Sequence, residues 1–412
     1  LDQYFPPLRL FSRLHPHSLP LPNHDPQTTP ETEINSEGTF NPPRPRPSPA
    51  AISPRHDGRI FVSIASYRDA QLLATIASLL AMCAEPQKLT VVICEQVHPD
   101  DPPLDLHSVL PSSSSFSFSS FSFSSFSASG LDAYSNTMAR ERDRDRDRDR
   151  DRESSEEGLR VVRLSMDSSL ARGPTWARYL IQQYWTGEQF YLQLDSHMRF
   201  VQNWDSQLRS DLRMLPPKSC LTNYPPRYDV VTDEVDSLGR GPMYATLIDR
   251  MDRFVRFNSD YVVTNQTNKD PKPLLSKGWS GCFSFSSSQI LLDAPYDPYL
   301  PFLFFGEEMD IFARLYTRGW LMYVPTLPVC FTAFDRSYRP TYWGHPDNEV
   351  VRFARMRLHH KFGLLSVQDE LQQGKEWYYL GKEKSMTDFL AYLGLNPAVY
   401  FNESFSSLSE ES

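Results

Sequence analysis

Apolar residues along the chain gather in short runs separated by helical patterns. Ile60-Phe61-Val62-Ser63-Ile64-Ala65 and Leu89-Thr90-Val91-Val92-Ile93-Cys94 are β-branched and apolar on both faces, as strands covered on both sides must be. Between them, Gln71 to Ala84 places Leu72, Ile76, Leu79, Leu80 and Cys83 at helical spacing. Strand, helix, strand with continuous apolar strands predicts a parallel βαβ unit. The alternation then recurs. Leu159 to Leu164 reads as a strand and Gly173 to Trp185 as a helix, with Pro174 suited to its first turn. Gln189 to Leu194 is a strand, Trp204 to Leu215 a helix, and Cys220 to Tyr224 a strand stopped by Pro225-Pro226. An apolar stretch from Trp279 to Ser284 precedes a helix from about Phe305 to Arg318 and a strand from Trp320 to Val324. Residues 229–270 are polar and weakly patterned. The fold class is therefore α/β, with a mostly parallel central sheet flanked by helices.

Three stretches depart from this pattern. Residues 1–57 are Pro-rich, and Pro42, Pro43, Pro45, Pro47 and Pro49 favour extended polyproline backbone; the segment reads as a disordered tail that could also serve as a docking ligand. Residues 105–157 read as a low-complexity insertion in a surface loop. Within it, 111–129 are almost all Ser and Phe, and 142–152 alternate Arg and Asp. The Ser/Phe alternation would also suit a strand. The Ser- and Glu-rich residues 401–412 read as a frayed tail. One globular domain remains, residues 58–400, and the chain's 26 Phe, 20 Tyr and 7 Trp supply it with a large core.

Charge and cysteine content narrow the function classes. A net charge of −9 argues against a nucleic-acid partner, since phosphate binding needs a basic surface. No apolar run approaches the ~20 residues of a membrane helix. The first residues, Leu1-Asp2-Gln3-Tyr4, lack the basic flank and apolar stretch of a secretory signal. The five cysteines include no CxxC pair and are odd in number, the pattern of buried reduced thiols in a cytosolic protein.

Ligands of open α/β sheets bind beyond the carboxyl ends of the strands. Three polar clusters fall there: Ser66-Tyr67-Arg68-Asp69, Glu95-Gln96 and Asp195-Ser196-His197. Alternation along an extended chain would put Asp195 and His197 on one side, where a carboxylate and an imidazole suit manganese or a similar ion. Gly173 to Arg178 opens a helix whose N-terminus attracts anions, and Arg172 and Arg178 add charge for a pyrophosphate. Gly278-Trp279-Ser280-Gly281 offers either an aromatic face for a sugar or a tight turn around a core Trp. Glu307, Glu308 and Asp310 sit at a helix start, where they stabilise the dipole and could also hold sugar hydroxyls.

Ile64-Ala65-Ser66-Tyr67-Arg68-Asp69, Gly173-Pro174-Thr175-Trp176-Ala177-Arg178, Tyr191 to Phe200 and Gly306-Glu307-Glu308 occur in that order. In this the chain resembles the polypeptide hydroxyproline N-acetylglucosaminyltransferases, whose best-known target is the Skp-type adaptor of the SCF ubiquitin ligase. It is more distantly similar to the mucin-type polypeptide N-acetylgalactosaminyltransferases. The resemblance spans residues 59 to about 345 and implies a GT-A fold, UDP-GlcNAc as donor, a Mn2+-type cofactor and retaining transfer to a protein hydroxyl in the cytoplasm. It implies that Ser66, Tyr67 and Arg68 lie near the uridine, while Glu95, Arg172 and Trp279 are donor-binding candidates by their placement. Asp195 and His197 would ligate the metal, Glu307 and Glu308 would face sugar and acceptor, and Arg178 would stabilise the departing UDP. Related enzymes take a third ligand, a His, from the strand before Asp335-Arg336-Ser337-Tyr338-Arg339-Pro340. Here that stretch reads Val329-Cys330-Phe331-Thr332-Ala333-Phe334, leaving Cys330 and His345 as candidates. Two alternatives stay open: a transferase with a glycan or Ser/Thr acceptor, and a catalytically silent module that binds a UDP-sugar or a protein.

Overall fold

The computed structural model describes residues 52–110, 116–123, 158–236, 238–262, 271–342, 349–366, 369–372 and 374–402. Most of the expected N-terminal tail, the Arg/Asp run, nearly all of the C-terminal tail and His345 lie outside the described residues. Nine strands form one sheet: β1 (Ile60–Tyr67), β2 (Leu89–Val97), β3 (Phe116–Phe123), β4 (Leu159–Asp167), β5 (Phe190–Asp195), β7 (Ser219–Thr222), β10 (Leu274–Ser276), β11 (Phe283–Ser287) and β12 (Leu321–Val324). Their order is β10-β12-β7-β11-β5-β1-β2-β4-β3. Pairing is parallel across β5-β1-β2-β4-β3 and between β7 and β12, while β11 and β10 run antiparallel to their neighbours. Two small sheets complete the strands: β6 (Met198–Phe200) with β13 (Cys330–Thr332), and the hairpin β8 (Gly239–Ile248) with β9 (Val255–Val262).

Successive residues of each strand point to opposite faces, so one strand feeds two cores. Ile60, Val62 and Ile64 of β1 pack with α1 (Leu72–Ala81) and α3 (Trp204–Arg213) through Ile76, Leu79, Trp204 and Leu208. Phe61 of the same strand joins the other core, which takes in Trp176, Leu180 and Ile181 of α2 (Pro174–Gln182) and Met309, Phe312 and Leu315 of α4 (Glu307–Tyr316). A further helix, α5 (Glu349–Lys361), closes over α4 through a buried ion network in which Lys361 pairs with Asp310 at 2.8 Å and Asp297 at 3.1 Å.

Two sequence expectations change here. Phe116–Phe123, set aside as part of a loop insertion, is the edge strand of the sheet and runs parallel to β4. Its Ser119-Ser120 doublet shifts the phase of the aromatics, so Phe116 and Phe118 pack against one core and Phe121 against the other. The weakly patterned 229–270 segment contains the β8–β9 hairpin, whose irregular register between Arg240 and Met243 and between Ala245 and Leu247 breaks the alternation that would have marked it.

Candidate active site

The three strand-end clusters meet because their strands are adjacent and in step. Asp195 is level with Ala65, and Ser66 with Glu95. The chain bends at Ser196-His197 between β5 and β6, and that bend, rather than continued extended alternation, brings Asp195 and His197 together. Asp195 Oδ2 lies 3.7 Å from His197 Nε2. The opposite atom of each group is already held. Arg178 Nη2 donates to Asp195 Oδ1 at 3.0 Å, and His197 Nδ1 lies 2.8 Å from Asp69 Oδ2.

Asp69 is the hub of this cluster and its side chain is fully buried. Ser196 Oγ donates to its Oδ2 at 2.6 Å, Tyr338 OH to its Oδ1 at 3.1 Å, and the Gln71 backbone N–H to Oδ1 at 3.0 Å; Arg339 forms an ion pair with it at 3.3 Å. Burial pushes the Asp69 carboxyl up, but the hydrogen bond and charge of His197, with Arg339 and Ser196, hold it well below the usual carboxylate range. Burial likewise opposes ionisation of Asp195, and His197, Arg178, Arg336 and Arg339 outweigh it. Arg336 has no ion-pair partner among the described residues.

Behind Asp195, Arg178 is nearly buried and also donates through Nη1 to Glu307, which accepts a second hydrogen bond from Tyr296 OH. Gly306 starts α4 in the left-handed region, with φ +103°, and a Cβ there would sit 2.8 Å from Phe254 and 2.9 Å from Leu358. That turn aims Glu307 inward and Glu308 toward Gly281, whose N–H donates to it at 3.1 Å; Tyr224 OH donates to its other oxygen at 2.7 Å. Burial pushes the Glu308 carboxyl up to about 7, against the opposing effect of the Tyr224 and Gly281 hydrogen bonds.

Several expected donor contacts are committed elsewhere. Arg178 donates from one terminal nitrogen to Glu307 and from the other to Asp195, and so braces Asp195. Glu307 is turned inward by the same bond and is buried. Trp279 is 1% exposed in the core, the tight-turn arrangement. Arg68, held at φ +49°, pairs with Asp101 at 2.7 Å, and Glu95 pairs with Arg163 at 2.5 Å. Ser66 is 2% exposed. Tyr67 packs edge-on against Tyr342, and the Arg172 guanidinium lies 5.6 Å from the centre of the Trp176 ring.

Asp195 Oδ2 and His197 Nε2 fit a divalent cation, since two metal–ligand bonds of roughly 2.1 Å span the gap between them. Fixing His197 Nδ1 through a carboxylate is the usual support of a metal-bound imidazole. Among the described residues, no group of three His, Cys, Asp or Glu is arranged to hold a metal ion, Asp69 being spent on the far nitrogen of His197. Cys330 is buried in β13, with its thiol pushed well above its ordinary range by burial. The backbone N–H of Ala333, next along from β13, donates to the His197 carbonyl at 3.2 Å.

The site's other members went unassigned in the sequence. Asp69, Tyr338 and Arg339 stand inside stretches singled out above, but their convergence depends on loops about 130 to 270 positions apart. Tyr224 and Tyr296 carry no sequence signal beyond being aromatic.

The chain has the fold of a crystal structure of GalNAc-T7 with UDP, GalNAc and Mn2+, at a TM-score of 0.50 and 13% identity, over 84% of this chain and 58% of that one. It thus spans less than two thirds of that protein, and at this identity the likeness shows the fold, which is of the GT-A type expected above. A crystal structure of S. aureus TarS 1-349 matches at a TM-score of 0.35 and 12% identity, over 67% of this chain and 60% of that one. No curated protein matches the chain. No helix among the described residues is long and apolar enough to cross a membrane. The model of the glycosyltransferase (GlcNAc) family matches residues 59–399, which hold the whole sheet and its flanking helices, and the chain belongs to that family.

Proposed function

We propose that this glycosyltransferase moves N-acetylglucosamine from UDP-GlcNAc to a protein hydroxyl, with retention at the anomeric carbon. The acceptor in this reading is a hydroxyproline, on an SCF ubiquitin-ligase adaptor of the Skp type, in the cytoplasm. The observation that carries the proposal is the Asp195–His197 pair at the strand ends, each side chain fixed from behind and open toward the other. Asp195 and His197 would hold a divalent cation, Mn2+ in the first instance, which would supply charge neutralisation at a donor diphosphate.

The chain's own residues set the rest. Asp69 fixes the His197 ring, and Arg178 fixes Asp195. Arg336, unpaired among the described residues and close enough for its charge to act on Asp195, is the cation available to a diphosphate. Glu308, rather than Glu307, is the carboxyl poised near neutrality beside the site. A second reading, a silent UDP-sugar-binding module, draws on the absence of a third metal ligand among the described residues.

Incubating the purified chain and Mn2+ with UDP-GlcNAc, UDP-GalNAc or UDP-Glc, against hydroxyproline and threonine peptides, separates these readings. The proposal expects UDP release from UDP-GlcNAc and one N-acetylhexosamine on the hydroxyproline peptide. Binding of UDP with neither hydrolysis nor transfer supports the silent module instead.

A further inference from the structure

The carboxyl ends of the strands hold the candidate active site, and a separate cavity of about 430 Å³ lies at their amino ends. Gly58 stands just before β1, Lys88 just before β2, and Phe190 opens β5. The facing wall is α3, whose Ser206, Arg209 and Arg213 share one side of the helix at spacings of three and four. β5 runs from Phe190 at the cavity to Asp195 at the active site, which separates the two by roughly 17 Å along the strand. The volume is that of a small-molecule site.

Hydrogen-bond donors crowd this cavity. Gly58 holds φ +74°, and the place a Cβ would take there is 3.6 Å from Lys88 Nζ and 3.8 Å from Arg209 Nη1, so two cations converge on a bare backbone position. Glu85 pairs with Lys88 at 2.8 Å and with Arg209 at 2.9 Å, and Asp205 takes the other arm of Arg209. Lys88 holds the Glu85 carboxyl below its usual range, with help from the charge of Arg209 and against burial and the charge of Asp205. Arg213, the third cation of the lining, is exposed and has no ion pair among the described residues. Three cations thus meet two carboxylates, and Arg213 carries the unmatched charge. Next to Gly58 in the chain, Asp57 pairs with Arg55 at 2.9 Å, and Arg59 donates to the carbonyls of Gln87 and Leu89. Gln189 Oε1 accepts from the Gly58 N–H at 2.8 Å. That leaves the Gln189 amide nitrogen, like the exposed Ser206 hydroxyl, without a partner among the described residues. Phe190 and Leu212 are half-buried and give the cavity an apolar side; the Phe190 ring stacks on Phe285 at 5.4 Å.

We propose that this cavity is a second small-molecule site, which takes an organic phosphate: Arg213, Gln189 and Ser206 receive the phosphate oxygens, and Phe190 and Leu212 carry the apolar part of the molecule. Open donors beside one unmatched cation suit an anion with several acceptor oxygens, and a guanidinium meets two of them at once. The donor chemistry at Asp195 and His197 takes no part in it.

Phenyl phosphate is the probe. It is titrated calorimetrically into the full chain at about 0.15 M salt, where exposed charges are screened, without Mn2+ and alongside inorganic phosphate and phenol. The parent is expected to bind one phenyl phosphate per chain and each control about tenfold more weakly. Arg213→Glu is expected to weaken phenyl phosphate about tenfold, since it removes a charge-assisted contact and adds a repulsion. Ser206→Asp, on the same exposed face, is expected to do likewise, and Arg213→Lys to retain most of the binding. The circular dichroism of all three should match the parent's. Arg336→Gln, which alters the candidate active site, is expected to bind phenyl phosphate like the parent. Equal binding by the parent, Arg213→Glu and Ser206→Asp overturns the proposal, as does a parent that binds no phenyl phosphate. Loss of binding in Arg336→Gln alone also overturns it, by placing the phosphate at the active site. Equal affinity for inorganic and phenyl phosphate overturns the assignment to an organic ligand.

Discussion

His197 Nδ1 lies 2.8 Å from the fully buried Asp69 Oδ2, which leaves Nε2 as the imidazole's outward atom, 3.7 Å from Asp195. In the proposed metal site, Asp69, held by Ser196, Tyr338, Gln71 and Arg339, would fix a ring that presents a single nitrogen.

Asp69→Asn should therefore weaken Mn2+ binding by roughly 10–100-fold. Electron paramagnetic titration of free Mn2+ measures this without turnover. An unchanged dissociation constant contradicts the role given to Asp69.

Arg178 bridges the buried Glu307 carboxylate and the partly exposed Asp195. Arg178→Met leaves Glu307 with only the Tyr296 hydroxyl, and loss of one member of a buried ion cluster costs about 3–5 kcal/mol. Arg178→Lys should recover little, because one ammonium lacks the fork that reaches both partners. Urea unfolding of the two variants checks this; a fully stable Lys variant would show that the bridge is not needed.

Glu308 gives a pH signature of defined sign. Its folded pKa of about 7 lies above the unfolded value, so its contribution to stability is complete below about pH 4.5 and is lost as pH rises through about 7. The loss is on the order of 3 kcal/mol for a shift of this size. Glu308→Gln mimics the protonated form and should remove this part of the dependence. Urea denaturation at pH 5 and pH 8, parent minus variant, isolates it. An identical pH dependence in both proteins would contradict the assignment.

Gly306→Ala combines a left-handed backbone with contacts of 2.8 and 2.9 Å to Phe254 and Leu358. Backbone strain of this kind costs roughly 1–3 kcal/mol, and the overlap adds to it. The melting temperature should fall, and the Glu308 pH signature should shift with it, since this turn aims Glu308 at Gly281.

The central strands were legible because parallel strands covered on both faces are nearly all apolar, as in Leu89 to Cys94. The Asp195–His197 pair was legible because it follows such a strand. What escaped was set by burial and by long-range convergence. Arg178 reads as a free cation in the sequence and becomes a brace only when Glu307 arrives from α4. Trp279 looks the same in a turn whether it is open or buried. Phe116–Phe123 becomes a strand only because β4 presents an edge to it, and β8–β9 is hidden by its own bulges.

The account rests on Asp195 and His197 acting together on one cation beside a nucleotide diphosphate. Isothermal titration of Mn2+ into the chain in the presence of UDP tests that most directly. One Mn2+ per chain is expected for the parent, with binding abolished in Asp195→Ala and in His197→Ala while both variants keep the parent's circular dichroism. Undiminished Mn2+ binding in either folded variant would contradict the account.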